Sequence, residues 1–161
     1  MLGKEIDLST VDGIAGGETA GIPYAAWISE SLDKPMLYVR KKPKGFGRNA
    51  QIEGNLTEGQ KVVLVEDLAT DGGSKINFVK ALRAAGADVS DIFVVFFYGI
   101  FPGAWETLNK SYVNLHYLCT WHDVIYVANE GQYFSSDTIE EVQQFLTDPV
   151  GWSSANGGRD E

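Results

Sequence analysis

Apolar positions along the chain fall into short, separated blocks. VDGIAGG, from Val11, is a brief apolar run ending in glycines. ETAGIPYAAWISESL follows it, and its Ile22, Ala25, Ala26 and Ile28 suit a helix packed on a sheet. PMLYVR, Pro35 to Arg40, predicts a second strand. From Lys41 to Gly59 the chain is polar, with four glycines and little periodicity, which predicts a long loop. KVVLV is a continuous apolar run, the pattern of a strand covered by helices on both faces. The next segment predicts a helix capped by Ser74 or Asp71, with Ile76, Val79 and Leu82 facing in, Lys75 and Arg83 facing out, and Gly86 as its stop.

DIFVVFF, Asp91 to Phe97, predicts another buried strand. A short helix near Ala104 to Lys110 comes next, then a half-alternating strand, VNLHYL. Thr120 opens a helix with Asp123 in its first turn, and a last helix lies near Asp137 to Leu146. Residues 1–150 are expected to form one domain, and the Gly/Ser/Asn/Asp-rich residues 151–161 a flexible tail. Strands alternating with helices, without a repeat, predict an α/β three-layer sandwich around a mainly parallel, twisted sheet. Ligands of such sheets sit at the C-terminal ends of the strands.

Composition narrows the function. The 161 residues carry 13 Lys and Arg against 22 Asp and Glu, a net charge of -9, which argues against general nucleic-acid binding. Five of the 13 cations nevertheless fall in RKKPKGFGR, Arg40 to Arg48, with no acid among them: a local anion site or a solvated loop. The chain shows neither an apolar run long enough to span a membrane nor a cationic-plus-apolar leader, and it has a single cysteine, Cys119. These features fit a cytoplasmic protein with one buried thiol. His116 and His122 lack a metal-site spacing and are assigned structural or surface roles. Most aromatic residues, the four tryptophans among them, are expected in the core or at subunit contacts. Tyr98 and Phe101 follow a strand end where a base could stack.

The chemistry concentrates in VVLVEDLATDGGSK, Val62 to Lys75. Glycines in Thr70-Asp71-Gly72-Gly73-Ser74 let successive backbone N–H groups face one hollow, and the following helix adds the positive end of its dipole. A phosphate suits that hollow. The residues form neither a P-loop nor a dinucleotide fingerprint. Glu66 and Asp67 stand just before it, where carboxylates would accept hydrogen bonds from vicinal hydroxyls, so the stretch fits a ribose 5-phosphate. On the residues alone, a strand that merely ends in an acidic turn stays open.

The stretch also resembles a known signature. VVLVEDLATDGGS is similar to the phosphoribosyl-diphosphate motif of type I phosphoribosyltransferases. GGETAGIP, Gly16 to Pro23, resembles their diphosphate loop, and YVRKKPKGFGRNAQIEG, Tyr38 to Gly54, the mobile catalytic loop of the orotate phosphoribosyltransferase family. The resemblance covers about Val11 to Tyr98. It implies the type I phosphoribosyltransferase fold, phosphoribosyl diphosphate with Mg²⁺ as substrate, and transfer of ribose 5-phosphate to orotate. It further implies that Glu66, Asp67, Leu68, Ala69, Thr70, Asp71, Gly72, Gly73 and Ser74 hold the ribose and its 5'-phosphate. Glu18, Thr19, Ala20 and Gly21 would meet the diphosphate, and Arg40, Lys41 and Lys44 would cover it. Lys44 and Asp67 are the candidate catalytic residues. Mg²⁺ would be held mainly through the substrate, and a homodimer with shared sites would follow.

The chain departs from that pattern in three places. Phe46 stands where the family often has histidine; no arginine lies between Arg83 and Arg159 to receive the orotate carboxylate; and the N-terminal hood segment over the base has no counterpart. A regulatory module that senses phosphoribosyl diphosphate, or a transferase for another base, are therefore the alternatives to the orotate enzyme.

Overall fold

A computed structural model describes residues 5–45 and 51–158 of the chain. Its centre is a six-stranded sheet in the order β3-β2-β1-β4-β5-β6. The strands are β1 (Gly13–Gly17), β2 (Met36–Val39), β3 (Ile52–Glu53), β4 (Lys61–Ala69), β5 (Asp88–Phe97) and β6 (Asn114–Thr120). All neighbours are parallel except β2 and β3. The strand β3 interrupts the segment from Lys41 to Gly59 that the sequence predicts as loop. It is only two residues long, pairing Ile52 with Val39 and Glu53 with Tyr38, too short to leave an alternating pattern.

Helices cover both faces, as the uninterrupted apolar run of β4 requires. Helix α1 (Gly21–Leu32) packs on Ile14, Val63 and Val65 through Ala25. Helix α2 (Gly73–Ala84) packs on the opposite face through Ile76, Val79 and Leu82, against Leu64, Ile92 and Val94. Val62, Val63, Leu64 and Val65 are all at most 1% exposed. Each such side chain contributes roughly 1.5–3 kcal/mol relative to exposure, so β4 anchors the fold. α3 (Gly103–Lys110) joins the α2 face through Ala104 and Leu108. α4 (Trp121–Glu130) opens with the expected capping box, Thr120 accepting from the Asp123 N–H and Asp123 from the Thr120 N–H.

The chain continues into α5 (Ser136–Thr147) and then α6 (Pro149–Ala155). The last helix runs into the segment whose composition predicts a loose tail. Asp148 accepts from the Gly151 N–H at 3.0 Å, Pro149 sits in the first turn, and Trp152 packs edge-on against Phe145 with ring centroids 5.4 Å apart. An N-cap acid followed by proline is a helix-start signal that the Gly/Ser/Asn composition masks. Among the described residues, no helix is long and apolar enough to cross a membrane.

The connections after β1 and β4 leave in opposite directions, towards β2 on one side and β5 on the other. A parallel sheet opens a crevice at the C-terminal ends of the two strands where its order reverses. The turn after Gly17 and the turn after Ala69 both lie there.

Candidate functional site

The turn after β4 places Gly72 at the cap of α2 with φ 82°, a left-handed conformation that favours glycine. A β-carbon there would also stand 3.5 Å from the Leu108 side chain. Asp71 accepts from the Gly73 N–H at 3.1 Å and from the Thr70 hydroxyl at 3.3 Å, so neither expected cap holds: Gly72 is the cap residue, and Asp71, one residue before it, meets the first N–H of the helix. Ser74 is exposed at the mouth of the turn. Thr70 to Ser74 thus join a curled backbone to a helix N-terminus, an arrangement able to hold a phosphate.

The two acids of β4 differ in their surroundings. Asp67 is half-buried at the strand end. Glu66, expected to face sugar hydroxyls, is 4% exposed, and its Oε2 lies 2.7 Å from the Lys75 ammonium. Lys75 is buried too, which corrects the expectation that it faces solvent. Residue 66 keeps step with Val62 and Leu64 on the face that α2 covers, and the first turn of α2 lies over it. A lysine at that turn meets a carboxylate below instead of water. Burial pushes the Glu66 carboxyl above its ordinary value, and the Lys75 hydrogen bond and charge offset only part of that effect. The other oxygen, Oε1, is buried without a hydrogen-bond partner.

Glu66 also reaches the turn after β1. A β-carbon on Gly17 or on Gly21 would collide with Glu66 Oε1, so glycine at both flanks makes room for the carboxylate. Between them Glu18, Thr19 and Ala20 form the turn, Glu18 and Thr19 joined by a cis peptide bond. The Glu18 N–H donates to the Val39 carbonyl at 2.9 Å, and its side chain accepts from the Lys41 N–H at 2.7 Å. The structure therefore brings residues 18–21, 40–41 and 66–74 to one end of β1, β2 and β4.

Lys44 follows in the same basic segment as Arg40 and Lys41. It is exposed and forms an ion pair with Glu53 Oε1, which also accepts from Arg40 Nη1 at 3.3 Å. The Lys44 hydrogen bond foremost, with help from Arg40, holds the Glu53 carboxyl below its ordinary value. The Arg40 guanidinium also stands over the Tyr38 ring, 5.8 Å from its centroid. Phe46, singled out in the same segment, lies outside the described residues. Tyr98 and Phe101 stack at the end of β5, centroids 6.3 Å apart, with Trp121 edge-on to Tyr98. Sequence reasoning missed Lys75 and Glu53. Their only signal is opposite charge: Lys75 stands one helix turn past an acid-bearing strand, and Glu53 at the far end of a basic run.

No protein-family model matches the chain. It is 57% identical over 145 residues to the orotate phosphoribosyltransferase of Ruegeria sp. (strain TM1040), a match covering 90% of this chain and 64% of that protein. It is 52% identical over 153 residues to the orotate phosphoribosyltransferase of Roseobacter denitrificans, covering 95% of this chain and 68% of the relative. The chain belongs to the orotate phosphoribosyltransferase family. The crystal structure of orotate phosphoribosyltransferase from Aeropyrum pernix superposes with a TM-score of 0.66 at 32% identity, over 80% of this chain and 70% of that one. The fold is accordingly that of the type I phosphoribosyltransferases. The chain spans less than two thirds of the length of the Ruegeria relative.

Proposed function

We propose that the chain transfers ribose 5-phosphate from phosphoribosyl diphosphate to orotate, giving orotidine 5'-monophosphate and diphosphate. One observation carries the proposal: in a chain of this family, the Gly72 turn at the N-terminus of α2, the acid-bearing end of β4 and the 18–21 turn converge at the switch point of the sheet. A single substrate with a phosphate at one end, a diphosphate at the other and a sugar between them matches that spacing of functions.

In this reading the turn from Thr70 to Ser74 holds the 5'-phosphate. Asp67, which is half-buried, takes the ribose hydroxyls, while Glu66 is turned towards Lys75. Residues 18–21 present their backbone to the diphosphate, and Arg40, Lys41 and Lys44 supply cations above it. The glycosyl bond to diphosphate breaks as the bond to the base forms, so positive charge grows on the ribose and negative charge on the leaving group. Asp67 opposes the first and the cations oppose the second.

Among the described residues, no cluster of three or more His, Cys, Asp or Glu is placed to hold a metal. We assign Mg²⁺ mainly to the oxygens of the substrate; when bound it would neutralise charge on the departing diphosphate. Arg40 and Lys41 are assigned to the site of a second copy in a cytoplasmic homodimer. Exposed Trp27 and, elsewhere, exposed Tyr126, Tyr133 and Phe134 offer apolar surface for such contacts, and sedimentation of the purified protein tests the association.

The deciding experiment mixes the protein with phosphoribosyl diphosphate, Mg²⁺ and a panel of bases and follows diphosphate release. Release with orotate is expected. Release with another base only would support the alternative transferase, consistent with the missing arginine between Arg83 and Arg159. Binding of phosphoribosyl diphosphate with no release for any base would replace the enzyme with a sensing module.

A further inference from the structure

We infer that Lys75 is a positioning residue for the 18–21 turn, acting through Glu66, so that the helix serving the phosphate end of the site also sets the floor of the diphosphate end. The inference rests on the proposed function for its ligands and on geometry for its link. Lys75 and Glu66 side chains are 9% and 6% exposed and 2.7 Å apart. Glu66 Oε1 is buried, has no hydrogen-bond partner, and occupies the space that β-carbons of Gly17 and Gly21 would need. Gly17 is itself buried, and the same hypothetical β-carbon would crowd Phe78 of α2 at 2.8 Å. The carboxylate is thus wedged between the two flanks of the turn and the first turns of α2.

A buried anion keeps its place only while its charge is matched. The charged groups around Glu66 are Lys75 from α2, Asp67 from its own strand and Lys41 from the segment after β2. Lys75 acts through both a hydrogen bond and its charge, Lys41 by charge alone, and Asp67 works against both. Without Lys75 the carboxylate must take up a proton or swing towards water. Either response alters what Gly17 and Gly21 rest on, and hence the backbone offered to the diphosphate. An incidental buried pair would affect stability and leave the two ends of the site equally affected.

The test titrates wild type, Lys75→Met, Lys75→Arg, Glu66→Gln and the double variant calorimetrically with inorganic diphosphate plus Mg²⁺, and separately with ribose 5-phosphate. Lys75→Met is expected to weaken diphosphate about 10- to 100-fold, the scale of a small misplacement in a binding site. Ribose 5-phosphate should change by less than about threefold, the charge of Lys75 being spent on Glu66. The acid-side loss of diphosphate affinity should move to higher pH, and Lys75→Arg should restore most of the affinity. The double variant should lose no more than Glu66→Gln alone, since Lys75 works through that carboxylate. Equal loss of both ligands, or unchanged diphosphate affinity in a folded variant, would overturn the inference. If Lys75→Met does not fold, the double variant, neutral at both positions, decides by the same contrast between ligands. Amide resonances of Gly17 and Gly21 in the protein without added ligand separate this inference from the functional one. They shift in Lys75→Met if the link holds, and unshifted resonances refute it. A wild type that binds neither ligand refutes the proposed function alone.

Discussion

The turn after β4 and the basic segment after β2 both gather charge at the same end of the sheet, and they do so by opposite means. Around β4 the charges are buried: Glu66 and Lys75 face each other beneath α2, and Gly72 fixes the turn above them with a left-handed φ. After β2 the charges lie nearer the surface: Lys44 is exposed and Arg40 half-buried, and both meet on Glu53, whose side chain is 36% accessible. A buried pair is costly to break and resists salt, whereas an exposed pair is screened and exchanges its partners readily. The first region is preformed before substrate arrives. In the proposed reaction the second holds cations that substrate would take from Glu53 with little loss.

That contrast predicts different signatures. In the preformed region, Gly72→Val should give the largest effect. Valine disfavours the left-handed conformation, and its γ-methyls would extend beyond a β-carbon that already meets Leu108 at 3.5 Å. Losing two charge-assisted hydrogen bonds to a phosphate, at about 1.5–3 kcal/mol each, corresponds to about 10²–10⁴ in ribose 5-phosphate affinity. Calorimetric titration reads it, and unaltered affinity would remove the turn from the phosphate site.

In the exposed segment the signature should be kinetic. Lys44→Ala is expected to lower kcat about 10²–10³-fold, the typical worth of one preorganised donor to developing charge, with little change in phosphoribosyl-diphosphate affinity. Parallel loss of affinity and turnover would make Lys44 an anchor for the ground state and erase the distinction between the two regions. Asp67→Asn falls between them. One charged hydrogen bond to a ribose hydroxyl, about 1.5–3 kcal/mol, predicts a loss of about 10- to 100-fold in kcat/KM with an unchanged melting temperature.

The contrast also explains what the sequence discloses. The sheet was legible because β4 and β5 each carry an unbroken apolar run, and the crevice because glycines end β1 and follow β4. Lys75 was not legible. Amphipathic patterning assigns lysine to the water side of a helix, and nothing in a periodicity reports that the strand beneath carries an acid at the matching height. Glu53 escaped for a different reason, its strand being two residues long. Helix α6 was written in Asp148-Pro149 but hidden by the composition around it.

A buried acid remote from the site calibrates the argument. Asp91, 8% exposed, accepts from the Ser90 hydroxyl and the Asn114 amide and pairs with His116 Nε2 at 2.9 Å. Burial alone would raise its carboxyl, but these bonds outweigh it and hold the group below its ordinary value of 3.8. Its contribution is therefore present above that value and is lost as pH falls through the lower folded one. Asp91→Ala should cost about 1–3 kcal/mol at neutral pH, the usual penalty of stranding buried partners. Denaturant titrations of the two proteins should converge below pH 3.8, and a constant gap would rule out the carboxylate as the source.

The smallest effect is the one that probes the exposed region most directly. In the proposed reaction, Glu53 is the group that Arg40 and Lys44 would leave in order to meet a diphosphate. Lys44, and to a lesser degree Arg40, keeps its carboxyl ionised below the ordinary glutamate value, so at neutral pH the competition is fully in force. Glu53→Gln should therefore tighten phosphoribosyl diphosphate, but only about two- to fivefold, because exposed pairs are worth little. Salt discriminates this cause from any other. Raising ionic strength screens the Glu53 pairs in the wild type, so the ratio of the two affinities should shrink towards one. Lowering the pH through the titration of Glu53 should do the same by neutralising the acid. If the ratio stayed constant in both experiments, or if Glu53→Gln weakened binding, Glu53 would be a support of the bound segment and not its resting partner.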